Sequence, residues 1–182
     1  MPLIVRQSAS AVCTPAGPGT HVASVNHYTK RPQSHEMSAC VFCDIVAGKA
    51  PASVVYLDDI VIAIMTIGPV NPGHVMVMPK KHIAYVADMD EDTGMHLFKI
   101  TMRMEQAIRK SGLRCDGSNL FLADGEAAFQ EILHLHMHVF PRFKGDSFRL
   151  DADWSVKPSR QELDEIAARI HSAYESLWGS IH

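Results

Sequence analysis

The sequence has few cysteines and no long apolar run. Its four cysteines are too few for the disulfide framework of a small secreted protein. They favour free thiols or a metal site in a reducing compartment, and a cytoplasmic location is therefore expected. No apolar stretch approaches the ~20 residues that span a bilayer, so no membrane partner is expected.

The sequence also has no excess of positive charge. It contains 17 Lys and Arg against 20 Asp and Glu, which gives a net charge of −3. This balance excludes a protein that binds nucleic acid polymers through a broad basic surface. A small phosphate-bearing ligand remains possible. With 182 residues, 47% of them hydrophobic, the chain can form one core of ordinary size.

Residues 1–36 have no acidic residue before Glu36 and no sustained hydrophobic periodicity. This composition predicts a disordered N-terminal extension. A transit segment is an alternative, although arginines are few and Gly and Pro are many. Met37 is a possible natural start, because the patterned part of the chain begins just after it.

A run of three alternating histidines is the main chemical feature. In His134-Leu-His136-Met-His138-Val-Phe, each histidine is followed by an apolar residue. This period of two predicts a half-buried strand. The side chains that face the core are then those of Leu135, Met137 and Val139. The histidines then share the other face. Metal binding, chemistry at a phosphate or acyl centre, and a solvated strand face all remain open.

The rest of the chain alternates between strand and helix patterns. Residues 53–57 and 60–64 predict an antiparallel hairpin, and strands are predicted at 74–78 and 118–122. Apolar residues spaced three and four apart predict a helix over 91–110 and an amphipathic helix from Pro158.

The histidine run resembles the motif of the histidine triad (HIT) superfamily of nucleotide hydrolases and transferases. The likeness extends from Cys40 to Arg142. It implies an α+β, HIT-like fold, in which an antiparallel sheet of about five strands packs with helices. It also implies a homodimer whose sheets join. The expected organisation is a HIT domain over 37–150 and a C-terminal extension with the amphipathic helix over 151–182.

A Cys-x-x-Cys pair, Cys40 and Cys43, suits a zinc site, a redox pair or two buried thiols. Many bacterial HIT proteins begin with a similar pair. The resemblance implies that His82 and His134 complete a closed, structural zinc site without a catalytic role. No organic cofactor is expected.

The resemblance also implies the roles of the site residues. His136 is the expected nucleophile, His134 supplies the backbone carbonyl that fixes its tautomer, and His138 and Gln130 steady the phosphate. The nucleotide is expected to bind near Ile64, Thr66, Ile67, His74, Ala123, Gln130 and His138. The sequence departs from the family at three of its positions, where Asp, Asn and Gly are usual: Thr66, Ala123 and Phe129.

The resemblance therefore implies a nucleotidyl hydrolase or transferase that cleaves at a nucleotide α-phosphate through a covalent nucleotidyl-histidine. It also implies a dinucleoside polyphosphate such as diadenosine tetraphosphate as the expected substrate. Alternatives are a purine nucleoside phosphoramidase, a nucleotide-binding protein with little turnover, and a zinc-organised interaction module in which the triad is a metal cluster.

Overall fold

The computed structural model describes residues 40–179. The predicted N-terminal extension, 1–36, lies outside the described residues. The chain divides into two compact units, one ending at Ser147 and one beginning at Phe148. Among the described residues, no helix is both long and apolar enough to cross a membrane.

Five antiparallel strands form the sheet of the first unit. The strands are β1 (Val54–Leu57), β2 (Val61–Met65), β3 (Val75–Pro79), β4 (Gly117–Leu122) and β5 (Met137–Arg142), in the spatial order β1-β2-β3-β5-β4. The predicted α+β fold with an antiparallel sheet of five strands is confirmed. The triad strand β5 lies inside the sheet, between β3 and β4.

The two faces of the sheet bury different sets of side chains. Alternate residues of β2 and β3, among them Val61 and Val77, pack with helix α2 (Glu91–Lys110). The residues between them, among them Ile62 and Met78, pack on the opposite face with Phe42 of helix α1 (Val41–Val46). The histidines lie on the α1 face, because the alternate residues Leu135 and Val139 belong to the α2 face.

The helices begin and end where local side chains stabilise them. The predicted bounds of α2 are confirmed, and the Asp90 side chain caps its start by accepting a hydrogen bond from Thr93 N at 2.9 Å. Helix α3 (Arg160–Trp178) starts with a capping box between Ser159 and Glu162. No residue of α3 is buried, and its apolar side chains, such as Ile170, are exposed.

The predicted extent of the triad strand is wrong at its start. β5 begins at Met137, so His134 and His136 precede the strand. The backbone there makes other contacts: Leu135 N donates to Ile83 O at 2.7 Å, outside the ladder. Met137, predicted to face the core, is only half-buried.

Candidate functional site

The three triad histidines lie at and just before the start of β5. His134 is fully buried and His136 is 8% exposed. The ring centroids of His136 and His138 are 4.7 Å apart. His138 pairs with Met76 of β3 and with Phe121 of β4, so the strand register places it in the middle of the sheet face.

A backbone carbonyl fixes the tautomer of His136. Its Nδ1 lies 2.8 Å from His134 O. Because a carbonyl only accepts, Nδ1 carries the proton, and the lone pair of the neutral ring is on Nε2. The Phe42 ring packs against His136 at a centroid distance of 5.1 Å and further restricts its orientation.

A second histidine pair fixes the tautomer of His138. Val70 N donates to His74 Nδ1 at 3.1 Å, so the proton of a neutral His74 is on Nε2. That nitrogen lies 2.9 Å from His138 Nδ1, which therefore accepts. The proton of His138 is consequently on Nε2, where the ring can donate a hydrogen bond.

Burial keeps the histidines neutral. It is the main cause that lowers the pKa of His74 to about 4 and that of His138 to about 3, and the nearby His136 adds to both shifts. Burial also lowers the pKa of His136, although the hydrogen bond to His134 opposes the shift. At neutral pH the site therefore offers uncharged imidazoles.

These pKa shifts predict that the first unit loses stability in acid. A histidine with a lowered native pKa binds fewer protons than the unfolded chain below about pH 6.5, so stability falls as pH drops from about 6.5 towards 4. For His74 the loss is on the order of 3 kcal/mol by pH 4. Urea unfolding of the wild type and of a His74→Asn, His138→Asn double variant should give a clearly steeper loss in the wild type. Parallel pH dependences would contradict the assigned shifts.

Four predicted metal ligands meet beside the triad. The ligand atoms of Cys40, Cys43, His82 and His134 all lie within 4.8 Å of one another. Cys40 Sγ is 3.5 Å from His134 Nδ1, and Cys43 Sγ is 3.3 Å from His82 Nδ1. A tetrahedral zinc ion separates its sulfur and nitrogen ligands by about 3.6 Å.

The hydrogen bonding of the cluster also fits a metal. His134 Nε2 donates to Pro79 O at 2.8 Å, which leaves its Nδ1 lone pair directed at the two sulfurs. Burial and the neighbouring Cys40 raise the pKa of the Cys43 thiol to about 11, so a thiolate pair here requires a cation. The donor set and its spacing therefore suit zinc.

The predicted nucleotide-binding residues differ widely in their exposure to solvent. Ile64 is 2% exposed in the core on the α1 face, whereas Ile67 is fully exposed. The Thr66 hydroxyl accepts from Gly68 N at 3.3 Å in the loop between β2 and β3. Ala123 is buried directly after β4. Ile64 therefore offers a nucleoside almost no surface.

Gln130, which is expected to steady the phosphate, uses its side-chain amide for two hydrogen bonds within the protein. Its Oε1 accepts from Gly125 N at 2.8 Å, and its Nε2 donates to Ala84 O at 2.7 Å. The side chain is buried and closes the 125–130 loop onto the segment that follows β3. Its contacts are those of a residue that shapes the loop.

Phe129 occupies a backbone conformation that favours glycine. Its φ is 66° and its ψ is 32°, in the left-handed region. This conformation costs a residue with a Cβ about 1–2 kcal/mol. The position is the one where the sequence has Phe in place of the usual Gly.

Phe129→Gly is expected to raise the free energy of unfolding by about 0.5–1 kcal/mol, since relief of the left-handed strain exceeds the added chain entropy of glycine. The Phe129 side chain is 59% exposed, so little burial is lost. Urea denaturation measures the change. Phe129→Ala removes the ring but keeps Cβ, and an equal gain in that control would contradict the explanation.

Sequence reasoning missed three residues that hold the site together. Phe42 packs on two triad rings, and Asn71 and Asp146 form buried hydrogen bonds between the β2–β3 loop and the chain after β5. The only available signals were the apolar residue inside Cys-x-x-Cys and the Asn in Gly68-Pro-Val-Asn-Pro-Gly73.

A family model described as the HIT domain matches residues 47–145. The protein hit of Bacillus subtilis is 37% identical over 142 residues, which cover 75% of this chain and 94% of that protein. The Arabidopsis thaliana adenylylsulfatase HINT3 is 31% identical over 133 residues, which cover 73% of this chain and 66% of the relative.

Solved structures give the same similarity. A zinc-bound histidine triad family protein from Mycobacterium smegmatis matches with a TM-score of 0.59 and 39% identity, over 74% of this chain and 97% of that chain. The chain is therefore similar in fold as well as in sequence to a relative whose structure contains zinc.

Proposed function

The chain belongs to the HIT family, and on that premise we propose that it is a hydrolase that cleaves nucleotides at the α-phosphate through a nucleotidyl-His136 intermediate. The observation that carries the proposal is the 2.8 Å contact between His136 Nδ1 and His134 O, which leaves the Nε2 lone pair for attack. An imidazole whose lone pair is held in one direction needs no separate base to activate it.

In the proposed first step, His136 Nε2 forms a bond to the α-phosphorus while the bond from phosphorus to the leaving group breaks. The proton on His138 Nε2 hydrogen-bonds the phosphate or the departing oxygen, so the negative charge that develops meets a fixed donor. In the second step, water displaces His136. The products are a nucleoside monophosphate and the regenerated neutral imidazole.

The two cysteines and two histidines of the cluster, Cys40, Cys43, His82 and His134, would hold the zinc ion. With four protein ligands it supplies a cross-link and no open position for substrate. The zinc-bound relative supports this part of the proposal. His134 then serves both halves of the site, with its ring toward the metal and its carbonyl toward His136.

The proposed substrate is a dinucleoside polyphosphate such as diadenosine tetraphosphate. The similar Arabidopsis adenylylsulfatase supports chemistry at an adenylyl group without selecting its leaving group. The chain should be incubated with diadenosine tetraphosphate, adenosine phosphoramidate and adenylyl sulfate, and AMP release measured for each. Fastest release from diadenosine tetraphosphate supports the proposal. Preference for the phosphoramidate indicates a phosphoramidase, and tight binding without AMP indicates a nucleotide-binding protein.

The organisation of the chain remains part of the proposal. We place the HIT domain at 37–150 and the extension at 151–182, and we expect a cytoplasmic homodimer joined through its sheets. The sheet order makes β1 and β4 the edge strands, where a second sheet can add. Sedimentation analysis of the full chain measures the assembly state.

A further inference from the structure

A buried polar network joins the loop before β3 to the end of β5. Asn71 Nδ2 lies 2.9 Å from Pro141 O and 3.1 Å from Asp146 Oδ2. Asn71 and Asp146 are 6% and 4% exposed, so the network is screened from water. Hydrogen bonds in such an environment restrict the groups that make them.

Asp146 is itself held by a second set of contacts. Arg142 donates to both carboxylate oxygens, with Nε at 2.6 Å and Nη2 at 2.8 Å. Phe143 N also donates to Asp146 Oδ2, at 3.2 Å. The carboxylate therefore has a fixed position from which it accepts the Asn71 amide.

The loop fixed by Asn71 carries the backbone donor that sets the His74 tautomer. Val70 precedes Asn71, and its N–H donates to His74 Nδ1 at 3.1 Å. His74 N also donates to Asn71 O at 3.2 Å. The backbone around Asn71 thus holds His74 at both its ring and its main chain.

His74 in turn contacts the candidate active site through His138. His74 Nε2 lies 2.9 Å from His138 Nδ1. His74 is 4% exposed, so it acts through the His138 ring that it contacts. If the loop moved, Val70 N would lose His74 Nδ1, and both imidazoles would be able to exchange tautomers.

We infer that Asn71 and Asp146 are positioning residues that hold the Nε2 proton of His138 toward the substrate, through the Val70 amide and His74. This inference rests on the proposed function, because it assigns a task to the His138 donor. The order of contacts is Asp146, Asn71, the loop backbone, His74 and His138. No group in this series changes its charge.

The test compares Asn71→Leu with Asn119→Leu. Asn119 accepts a hydrogen bond from Arg142 and so belongs to the same network, but it lies on β4 and does not hold the loop. Both variants lose an amide of the same size. Only Asn71→Leu removes the anchor of the loop that contains Val70.

The primary readout is the ¹⁵N NMR spectrum of the histidine rings at neutral pH, because protonated and unprotonated ring nitrogens give well-separated signals. The His138 signals are assigned from their loss in His138→Asn. The wild type and Asn119→Leu should show His138 protonated at Nε2 alone, and Asn71→Leu should show a mixture of both tautomers. The kcat for AMP release should fall at least tenfold in Asn71→Leu only.

Asp146→Asn is the second variant, and it applies if Asn71→Leu does not fold. It keeps the side-chain volume but weakens the acceptor for Asn71, so a smaller shift toward mixed tautomers is expected. Unchanged His138 signals in a folded variant would overturn the inference, whatever happens to kcat. An ordered His138 tautomer in a wild type that cleaves no nucleotide would overturn the proposed function and leave the positioning role supported.

Discussion

His136→Asn is expected to lower kcat for nucleotide cleavage by at least about 10⁴-fold, because the variant has no ring nitrogen to form the intermediate. Asparagine keeps an amide that can still donate to His134 O, so the local backbone should stay in place. Binding of the uncleaved nucleotide should change little, since the lost bond forms only during the reaction. Steady-state AMP release and equilibrium binding measure the two effects separately.

The matched control is His171→Asn, which makes the same change on the exposed face of α3. His171 Nε2 lies 3.5 Å from Glu175 Oε1, and the His171 side chain is 71% exposed. Its removal should leave kcat within about twofold, as is usual for a change at an exposed residue outside the ligand and triad residues. If His136→Asn retained wild-type activity, another group would be the nucleophile.

Cys40→Ser and Cys43→Ser are expected to abolish stoichiometric zinc binding and to lower the free energy of unfolding by at least about 3 kcal/mol. The four candidate ligands come from the start of α1, from the segment after β3 and from the segment before β5, so a bound metal would join three distant parts of the chain. Helix α1 has six residues and depends on such a tether. Loss of the zinc tether should also separate Phe42 from His136 and reduce kcat about tenfold.

Elemental analysis and urea unfolding, each with and without a chelator, measure these effects. Cys115→Ser is the control: Cys115 Sγ donates to Gly117 O at 3.1 Å and lies outside the ligand cluster. That variant should keep one zinc per chain. A wild type purified without zinc, and unaffected in stability by added zinc, would contradict the structural role of the metal.

The sequence predicted those parts of the fold that short-range patterns determine. The bounds of α2 follow from its three-and-four spacing and from the Asp90 cap, both of which are local. The hairpin of β1 and β2 follows from two β-branched runs around Asp58 and Asp59. The start of β5 could not be predicted in this way, because it depends on contacts with Ile83, which is distant in sequence.

The site was less predictable than the fold. The triad alternation placed the three histidines on one face, and the resemblance supplied His82 as a ligand. The contact between His74 and His138 depends on the register of β3 against β5, which no local pattern determines. The hydrogen bonds of the Gln130 amide and the left-handed backbone conformation of Phe129 likewise depend on the path of the 125–130 loop.

The most direct test of the central claim is a single-turnover reaction of the full chain with an adenine nucleotide, quenched before the second step. Peptide mass spectrometry should then find one adenylyl group on His136, and the acid lability and base stability of the adduct should be those of a phosphoramidate. The adduct should be absent from His136→Asn. An adenylyl group on any other residue, or AMP release through a burst that leaves no adduct on the wild type, would contradict the account.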